Sequence, residues 1–294
     1  MVGLPENHNS HSSHIVRFIA GMPSLPVTVT RVLEICNSPA TSPDDLNRVI
    51  ALDPVLTGRV LKLVNSAYYG LCNTITSLPR AIIMLGMNTI KNLVIGSAIV
   101  NSFGRISFHA LSMTNFWLHC LCVGVTAKRL AILKEVPITQ REDYFVGGLL
   151  HDLGKIPLIS LFSHEYLQIL SSGSRCVLYN SERKILGLDH MQVGKMIGEK
   201  WKLGIAISDC LHHHHDPDNA AEENRQKVKI IELADMFSKY LGIGNAGDLP
   251  PDGDTLNHNM SANGFTGAQL EGLKETVEEE IEKARIFLQS TTRG

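Results

Sequence analysis

The amino-acid sequence predicts an all-α protein, because signals that start helices recur along the chain while the alternating pattern of strands is nearly absent. The chain has 294 residues, of which 44% are hydrophobic and 19% are charged. This composition supplies enough apolar side chains for a sizeable core and argues against a disordered chain. No internal repeat is found in the sequence.

Four helix starts are predicted in the first hundred residues, after a polar tail over residues 1–19 that we expect to be frayed. Ser42 and Asp53 each precede a proline, which pairs an N-cap side chain with a residue suited to the first helical turn. Ser77 is predicted to open a short third helix, and Asn88 to cap a fourth. Apolar residues at helical spacing follow these starts, so each helix would bury one face.

Longer helices are predicted in the rest of the chain. They lie at about 112–133, at 144–162, from Asp189 onward, and at 204–215, 226–241 and 267–289. Pro157 is expected to kink or divide the second of them. Residues 242–266 are rich in Gly, Pro, Asp and Asn, which predicts a long surface loop. The last helix is amphipathic and must bury its apolar stripe on the body of the protein or on a partner helix, so a homodimer is one alternative.

The chain is expected to divide near residue 110, because the His, Asp and Lys residues of chemical interest lie almost entirely after that point. We predict an N-terminal helical half over 20–110, a metal-binding helical half over 111–241, and a loop with the amphipathic helix over 242–294. The linker Ser102–Phe108 is short, so the two halves are expected to pack as one body.

Charge and composition exclude several classes of function. Acidic residues number 29 against 27 basic ones, and no basic stripe carries interleaved aromatic residues, so nucleic acid is not an expected partner. The apolar runs are shorter than the ~20 residues that span a bilayer, so no membrane segment is expected. Six scattered cysteines and the lack of a secretory leader predict a cytoplasmic protein with reduced thiols.

An adjacent His and Asp stand out within a helix that is otherwise apolar. His151 and Asp152 follow a run of Gly and Leu residues, and a charged carboxylate there is costly unless it is paired or binds a metal. Lys155 lies four residues after His151, so its side chain projects from the same helical face.

Similar polar residues recur on other apolar helical faces. These are His119, His190, Asp235 and the run His212–His215. Taken singly, each has an ordinary alternative as a hydrogen-bonded core residue or a solvated helix end. Together they provide the mixed nitrogen and oxygen donors of a divalent metal site, since imidazole suits Fe, Mn, Ni or Zn and a carboxylate can bridge two ions. At most two members of the His run can be ligands, because consecutive helical residues point about 100° apart.

A set of motifs in the chain resembles the HDOD domain, a branch of the HD superfamily of helical metal-dependent phosphohydrolases. Beyond the His-Asp pair, the segments that carry the resemblance are Met22–Pro26, Leu52–Leu56, Leu61–Gly70, Ser77–Ile82, Phe116–His119, Leu188–Gly194 and His214–Pro217. The resemblance ends at Asp235 and covers about residues 20–241. It implies a helical bundle with an N-terminal HDOD half and a C-terminal HD-like half.

The resemblance also implies a set of site residues. The metal-ligand candidates are His119, His151, Asp152, His190, His214, His215 and Asp235. Asp152 matches the carboxylate that bridges two ions in the phosphodiesterase branch, and Lys155 matches the lysine that contacts the substrate phosphate. The cofactor is expected to be two divalent transition-metal ions, with Fe favoured and Mn, Ni or Zn as alternatives. The register within the His run follows from Asp216-Pro217, and the pair His213-His214 remains an alternative.

The sequence differs in two places from the branch of the superfamily that cleaves cyclic-di-GMP, and both differences argue against that activity. That branch follows its His pair with a Glu and a Gly-Tyr-Pro loop, whereas this chain has Asp216–Asn219. Some of its members place a Glu for a third metal where this chain has Asn115. We therefore expect two metals rather than three, and no hydrolysis of cyclic-di-GMP.

Two functions follow from the resemblance. The first is a bacterial signal-transduction or regulatory protein that retains the metal site and contacts a protein partner through its helical surface. The alternative is an active phosphohydrolase or phosphodiesterase on a nucleotide or another phosphoester, with Lys155 and Asp152 as catalytic residues. The cations that the sequence offers near the site are Lys155 and Lys195, and this small number favours the first function.

Overall fold

The computed structural model describes residues 6–36, 38, 40–103, 111–171 and 178–288 of the chain, and these residues contain helices but no strand. The N-terminal helices are α1 (Glu6–Gly21), α2 (Val27–Cys36), α3 (Pro43–Ala51), α4 (Pro54–Val64), α5 (Leu78–Leu85) and α6 (Met87–Phe103). The later helices are α7 (Met113–Leu133), α8 (Arg141–Leu150), α9 (Lys155–Leu161), α10 (Ser163–Ser171), α11 (Leu178–Leu186), α12 (His190–Trp201), α13 (Ile205–His213), α14 (Glu222–Leu241), α15 (Gly253–Ala262) and α16 (Gly267–Ala284). The all-α prediction is confirmed.

Most of the predicted helix starts are present. The side chain of Ser42 accepts a hydrogen bond from the Asp45 amide at the start of α3, and Asp189 accepts one from the Gln192 amide at the start of α12. The prediction for Asn88 is wrong, because α6 already begins at Met87. The Asn88 side chain instead donates to the Thr139 carbonyl and to Asp143, which ties α6 to α8 and to the turn before it.

The predicted N-terminal tail is a helix over most of its length. Residues 6–21 form α1, and Ile15 and Ile19 on one of its faces are fully or nearly fully buried. This helix packs on α9, α11 and α12. The prediction missed this helix because its residues are mostly polar. Its few apolar residues form one face, which is buried only by contact with the rest of the protein. Residues 1–5 lie outside the described part.

The predicted surface loop over 242–266 also contains a helix. Asp252 caps α15, and Leu256 and Met260, one turn apart, are buried against the body. Residues before this helix reach the candidate site described below. The Gly and Pro content correctly marked turns but did not show that the segment is buried in part.

The helix predicted over 144–162 is divided, although the break is not at Pro157. It lies between α8 and α9, where the Leu153 amide donates to the Leu150 carbonyl and the Lys155 amide to the Asp152 carbonyl. Pro157 is the third residue of α9, a position whose missing N–H has no intrahelical partner in any case. This turn carries Asp152, whose side chain is buried.

Helix α7 lies at the centre of the second half and packs against α8, α14 and α16. By length and hydropathy it is the one described helix that could cross a membrane, or one of up to three candidates if two bent helix pairs count as spans. Yet 72% of its apolar window is buried inside the protein. Its apolar character therefore has a sufficient explanation in its central position.

The apolar stripe of α16 packs on the chain's own α7. Leu273, Val277 and Ile281 are buried there, and Arg129 of α7 forms an ion pair with Glu280 of α16. The stripe thus follows the first of its two predicted alternatives, burial on the body of the protein.

The two halves contact each other at the start of α8. The Tyr69 hydroxyl donates to Glu142, and the Asn92 side chain donates to Asp143. Residues 104–110 of the predicted linker Ser102–Phe108 lie outside the described part, and Ser102 and Phe103 belong to α6.

The close packing of α7 on α8 can be tested by substitution of a glycine at their contact. A Cβ atom at Gly148 of α8 would lie 2.8 Å from the Cα atom of Gly124 in α7, with only backbone to yield. We expect Gly148→Ala to lower the free energy of unfolding by about 1–3 kcal/mol or more. Gly272→Ala on α16 is the control, because no atom lies within 4 Å of its added Cβ. Equal thermal stability of the two variants would contradict this packing.

Candidate metal centre

Seven polar side chains from five parts of the fold meet beside α7. They are His119 of α7, His151 and Asp152 at the α8–α9 turn, His190 at the start of α12, His214 and His215 at the end of α13, and Asp235 of α14. All are buried except His215, which is partly exposed. The fold therefore brings together every ligand candidate that the resemblance implied.

Asp152 lies at the centre of the cluster. Its Oδ2 atom is 3.8 Å from His119 Nε2 and 3.4 Å from His151 Nε2. Its Oδ1 atom is 3.4 Å from His190 Nε2 and 3.6 Å from His214 Nε2. The two oxygens of one carboxylate thus face two separate pairs of imidazoles.

Asp235 and His215 complete the two groups. Asp235 Oδ1 is 3.1 Å from His119 Nε2 and 3.7 Å from His151 Nε2. On the other side, one ligand atom from each of His190, His214 and His215 lies within 4.8 Å of the others. Each oxygen of Asp152 therefore has a group of further donors beside it.

Hydrogen bonds behind the imidazoles direct their Nε2 atoms into the cluster. The Nδ1 atom of His151 is 2.7 Å from the Gly148 carbonyl oxygen, and that of His214 is 3.0 Å from the Cys210 carbonyl oxygen. A carbonyl can only accept, so Nδ1 carries a proton in both rings, and the neutral form of each ring has its lone pair on Nε2. This is the tautomer of a metal-binding histidine.

Several donor atoms of the cluster have no hydrogen-bond partner although they are buried. They are Nε2 of His119, His151 and His215, and Oδ1 of Asp152 and Asp235. Unpaired buried polar atoms are costly, and here five of them point toward one another. Donors that bind one ion at about 2.0–2.2 Å lie about 3–3.5 Å apart, close to the separations seen here. The residues present therefore fit a divalent metal.

Burial and neighbouring charges also suit cation binding. Burial lowers the pKa of His214 to about 4, so the ring is neutral at neutral pH. Burial alone would raise the pKa of Asp152, but the charges of His151 and Lys155 hold it well below its ordinary value. For His151 itself, burial is outweighed by the nearby carboxylates, which raise its pKa to about 9. Protons on this ring and a bound cation would compete.

The register of the His run follows from where the four rings lie. His214 and His215 face His190, with ring centroids 5.2 and 5.4 Å away. His212 and His213 contact each other instead, with Nδ1 of His212 2.9 Å from Nε2 of His213. The structure thus brings His214-His215 to the cluster rather than the alternative His213-His214.

Lys155 is not free for a substrate in this structure. Its ammonium group is fully buried and donates to Asp152, to the Ala246 carbonyl and to Asp248. Its expected contact with a phosphate is therefore replaced by contacts within the chain. Lys195, the second predicted cation, is exposed on α12.

Three further residues at the cluster were missed by the sequence analysis. Lys239 binds Asp235 from one turn later on α14, a spacing that the sequence does display. Asp248 binds Lys155 from the segment that was predicted to be a surface loop. Glu182 of α11 is fully buried and accepts hydrogen bonds from both the backbone amide and Nδ1 of His190. No local pattern marks Asp248 or Glu182.

A cavity of about 750 Å³ opens beside the cluster. His215 and Asp235 line it, together with Lys239, Asp248 and Tyr179. A small molecule could therefore reach two members of the cluster from solvent.

Comparison with known proteins gives both sequence and structural matches. A family model described as the HDOD domain matches residues 22–217. An uncharacterized protein of Treponema pallidum (strain Nichols) is 22% identical over 230 residues, which cover 76% of this chain and 43% of that protein. The chain thus spans less than half the length of this curated relative.

Solved structures share the fold at low sequence identity. An HDOD domain protein with unknown function from Geobacter sulfurreducens has a TM-score of 0.75 and 24% identity, covering 94% of this chain and 98% of that one. A proposed phosphohydrolase from Shewanella amazonensis SB2B has a TM-score of 0.71 and 20% identity, with coverage of 94% and 98%. A proposed signal transduction protein from Marinobacter aquaeolei VT8 has a TM-score of 0.71 and 16% identity, with coverage of 98% and 67%.

The contact between Glu182 and His190 leads to a prediction about metal affinity. Glu182→Ala removes the Oε2 atom that accepts from both the backbone amide and Nδ1 of His190, and we expect about a 10–100-fold loss of affinity for a divalent ion. Glu182→Gln keeps an acceptor oxygen and should retain more of the affinity. Titration of a chelator against each variant measures this. If Glu182→Ala binds metal as tightly as the unaltered chain, the orienting role is wrong.

Proposed function

This chain belongs to the HDOD domain family, and we propose that it is a bacterial signal-transduction protein with a dinuclear metal centre. The observation that carries the proposal is the position of Asp152. Its two oxygens face two separate groups of imidazoles, which is the arrangement a carboxylate needs to bridge two ions.

The proposed ligands form two sets around Asp152. His119, His151 and Asp235 would hold one ion, and His190, His214 and His215 the other. Mixed imidazole and carboxylate donors suit Fe, Mn, Ni or Zn, and the resemblance favours iron among them. The described cysteines are free, which supports the cytoplasm as the proposed compartment. Two divalent ions there would supply strong positive charge and an acidified bound water.

The chain's own residues prepare the centre for this task. The Gly148 and Cys210 carbonyls fix two imidazole tautomers, and Glu182 fixes a third ring. Apolar helices exclude water from one side of the cluster, while the cavity leaves the His215 side open. A ligand entering by this cavity would change contacts at the centre, as a signalling protein requires.

A second candidate function, a metal-dependent phosphohydrolase, is favoured by the same cavity. It is large enough for a small phosphoester and ends at His215 and Asp235. One structural neighbour is named as a proposed phosphohydrolase and another as a proposed signal transduction protein, so their names support both functions. Release of nitrophenolate from a nitrophenyl phosphate ester tests this candidate. Metal-dependent release that Asp235→Ala abolishes would support it, and no release would leave the regulatory role.

Metal content of the purified chain tests the proposed centre. We expect about two transition-metal ions per chain, measured by mass spectrometry on protein prepared without a His tag or added metal. Asp152→Ala should lose both ions because both groups lose their shared ligand. Asp235→Ala should lose about one, because its free oxygen Oδ1 faces only the His119 and His151 group.

Loss of a buried carboxylate elsewhere provides the control. Asp209 is buried and accepts hydrogen bonds from Asn224 and the Ala221 amide, outside the cluster. Asp209→Ala should destabilise the fold while keeping both ions. Full metal retention in a folded Asp152→Ala variant would refute the bridging role.

A further inference from the structure

The buried Lys155 and the largely buried Lys239 converge on one carboxylate at the edge of the candidate metal centre. The resemblance already implies a phosphate contact for Lys155; we propose that Lys239 joins it in a binding site for a phosphoryl group, and that Asp248 of the same chain occupies this site in the resting protein. The inference deepens the proposed function and rests on it, since the phosphoryl group would lie beside the metal ions.

The contacts of Lys155 leave no donor for another ligand. Its ammonium group is 2.8 Å from Asp152 Oδ2 and 3.1 Å from the Ala246 carbonyl oxygen, and it also donates to Asp248 Oδ2. An ammonium group has three N–H donors, and all three have a partner here. A phosphate oxygen can bind Lys155 only if one of these partners leaves.

Lys239 repeats the arrangement from α14. Its ammonium group is 2.6 Å from Asp235 Oδ2 and 3.4 Å from the same Asp248 Oδ2 atom. Each lysine therefore contacts one carboxylate of the metal cluster and also Asp248. Two converging ammonium groups are a suitable site for a phosphoryl group, whose several oxygens can each accept from one of them.

Of the partners of these lysines, Asp248 is the one free to be exchanged. Asp152 and Asp235 are held in the cluster by their proposed ligand role, and the Ala246 carbonyl belongs to a fully packed residue. Asp248 supplies a negative charge that a phosphate would also supply. An entering phosphate would therefore more than replace the negative charge that Asp248 withdraws.

The balance of charge favours such a replacement once metal is bound. Three carboxylates, Asp152, Asp235 and Asp248, stand against the two lysines. Two divalent ions would reverse the sign of the whole cluster and attract a phosphate dianion more strongly than a single carboxylate. The side chains concerned are almost fully buried, so water screens this attraction little.

The segment that carries Asp248 is fixed on α7 at its start and is exposed beyond Asp248, before α15 docks on the body. Gly244 has φ +71°, and a Cβ atom there would lie 2.2 Å from the His119 amide nitrogen. The Asn245 amide donates to the Asn115 carbonyl, which fixes this end on α7. Beyond Gly247, which also has a positive φ, Leu249 is 65% exposed. The exposed stretch between these two anchors is the part that Asp248 would carry outward, while Asn245 and Ala246 stay in place.

The cavity provides the room and the route. Asp248 and residues 249–252 form one of its walls, and Lys239 and His215 lie on it as well. A ligand that enters the cavity therefore contacts Asp248, the Lys239 ammonium group and the His215 imidazole. Binding would displace residues 248–251, so that occupancy of the site is transmitted to an exposed segment.

Inorganic phosphate binding to the full-length, metal-loaded chain tests the inference by calorimetry. Asp248→Asn removes the competing charge, and we expect it to bind phosphate at least about tenfold more tightly than the unaltered chain. Asp252→Asn is the control, because it lies in the same segment and Asn caps α15 as well as Asp does. Adding Lys239→Met to Asp248→Asn should cancel the gain.

Hydrogen exchange on the unaltered chain keeps the test valid if Asp248→Asn does not fold. Saturating phosphate should speed exchange at Asp248 and Leu249, which carry the amide N–H groups of residues 248–251 because Pro250 and Pro251 have none, and leave Asn245 and Ala246 unchanged. A folded, metal-loaded Asp248→Asn variant with unchanged phosphate affinity would overturn the inference, as would unchanged exchange. Metal content measured on the same samples separates the two proposals. If the purified protein contains no metal, the proposed function is refuted. If it contains metal but shows none of these phosphate effects, only the inference about Asp248 is refuted.

Discussion

The structure of the second half depends on one buried carboxylate. Asp152 lies within 4 Å of four imidazoles, and its two oxygens divide them into two pairs. Such a group is costly in an apolar core unless positive charge compensates it. Lys155 supplies part of that charge, and a pair of divalent ions would supply the rest. The helices around Asp152 are arranged so that donors from five parts of the fold meet at one place.

Close helix packing makes this meeting of donors possible. Gly148 lets α8 approach the backbone of α7, and Gly154 lets the α8–α9 turn approach His190, where an added Cβ would lie 1.9 Å from its carbonyl oxygen. Donor atoms with free lone pairs must be within a few ångströms of one another to share an ion. Larger residues at these glycines would separate the histidines, so the backbone and the site constrain each other.

The electrostatics of the site link the proposed metal centre to its opening. Lys155 and Lys239 neutralise cluster carboxylates on one side and bind Asp248 on the other. The same lysines thus stabilise the buried carboxylates and hold Asp248 at the wall of the cavity. A protein arranged in this way couples the charge of its centre to the position of an exposed segment, which suits a regulatory protein as well as a controlled hydrolase.

The sequence by itself determined the fold class and the ligand candidates. Cap residues such as Ser42 and Asp189 act through hydrogen bonds to amides three residues away, so a local pattern displays them. The pair His151-Asp152 could also be recognised locally, because it is a polar pair within an apolar run. Only the tertiary structure decided that His214-His215 reach the cluster, that α1 and α15 are helices docked on the body, and that Asp248 binds Lys155. These features depend on contacts between residues far apart in the chain, and no local spacing encodes which distant side chain fills a given position.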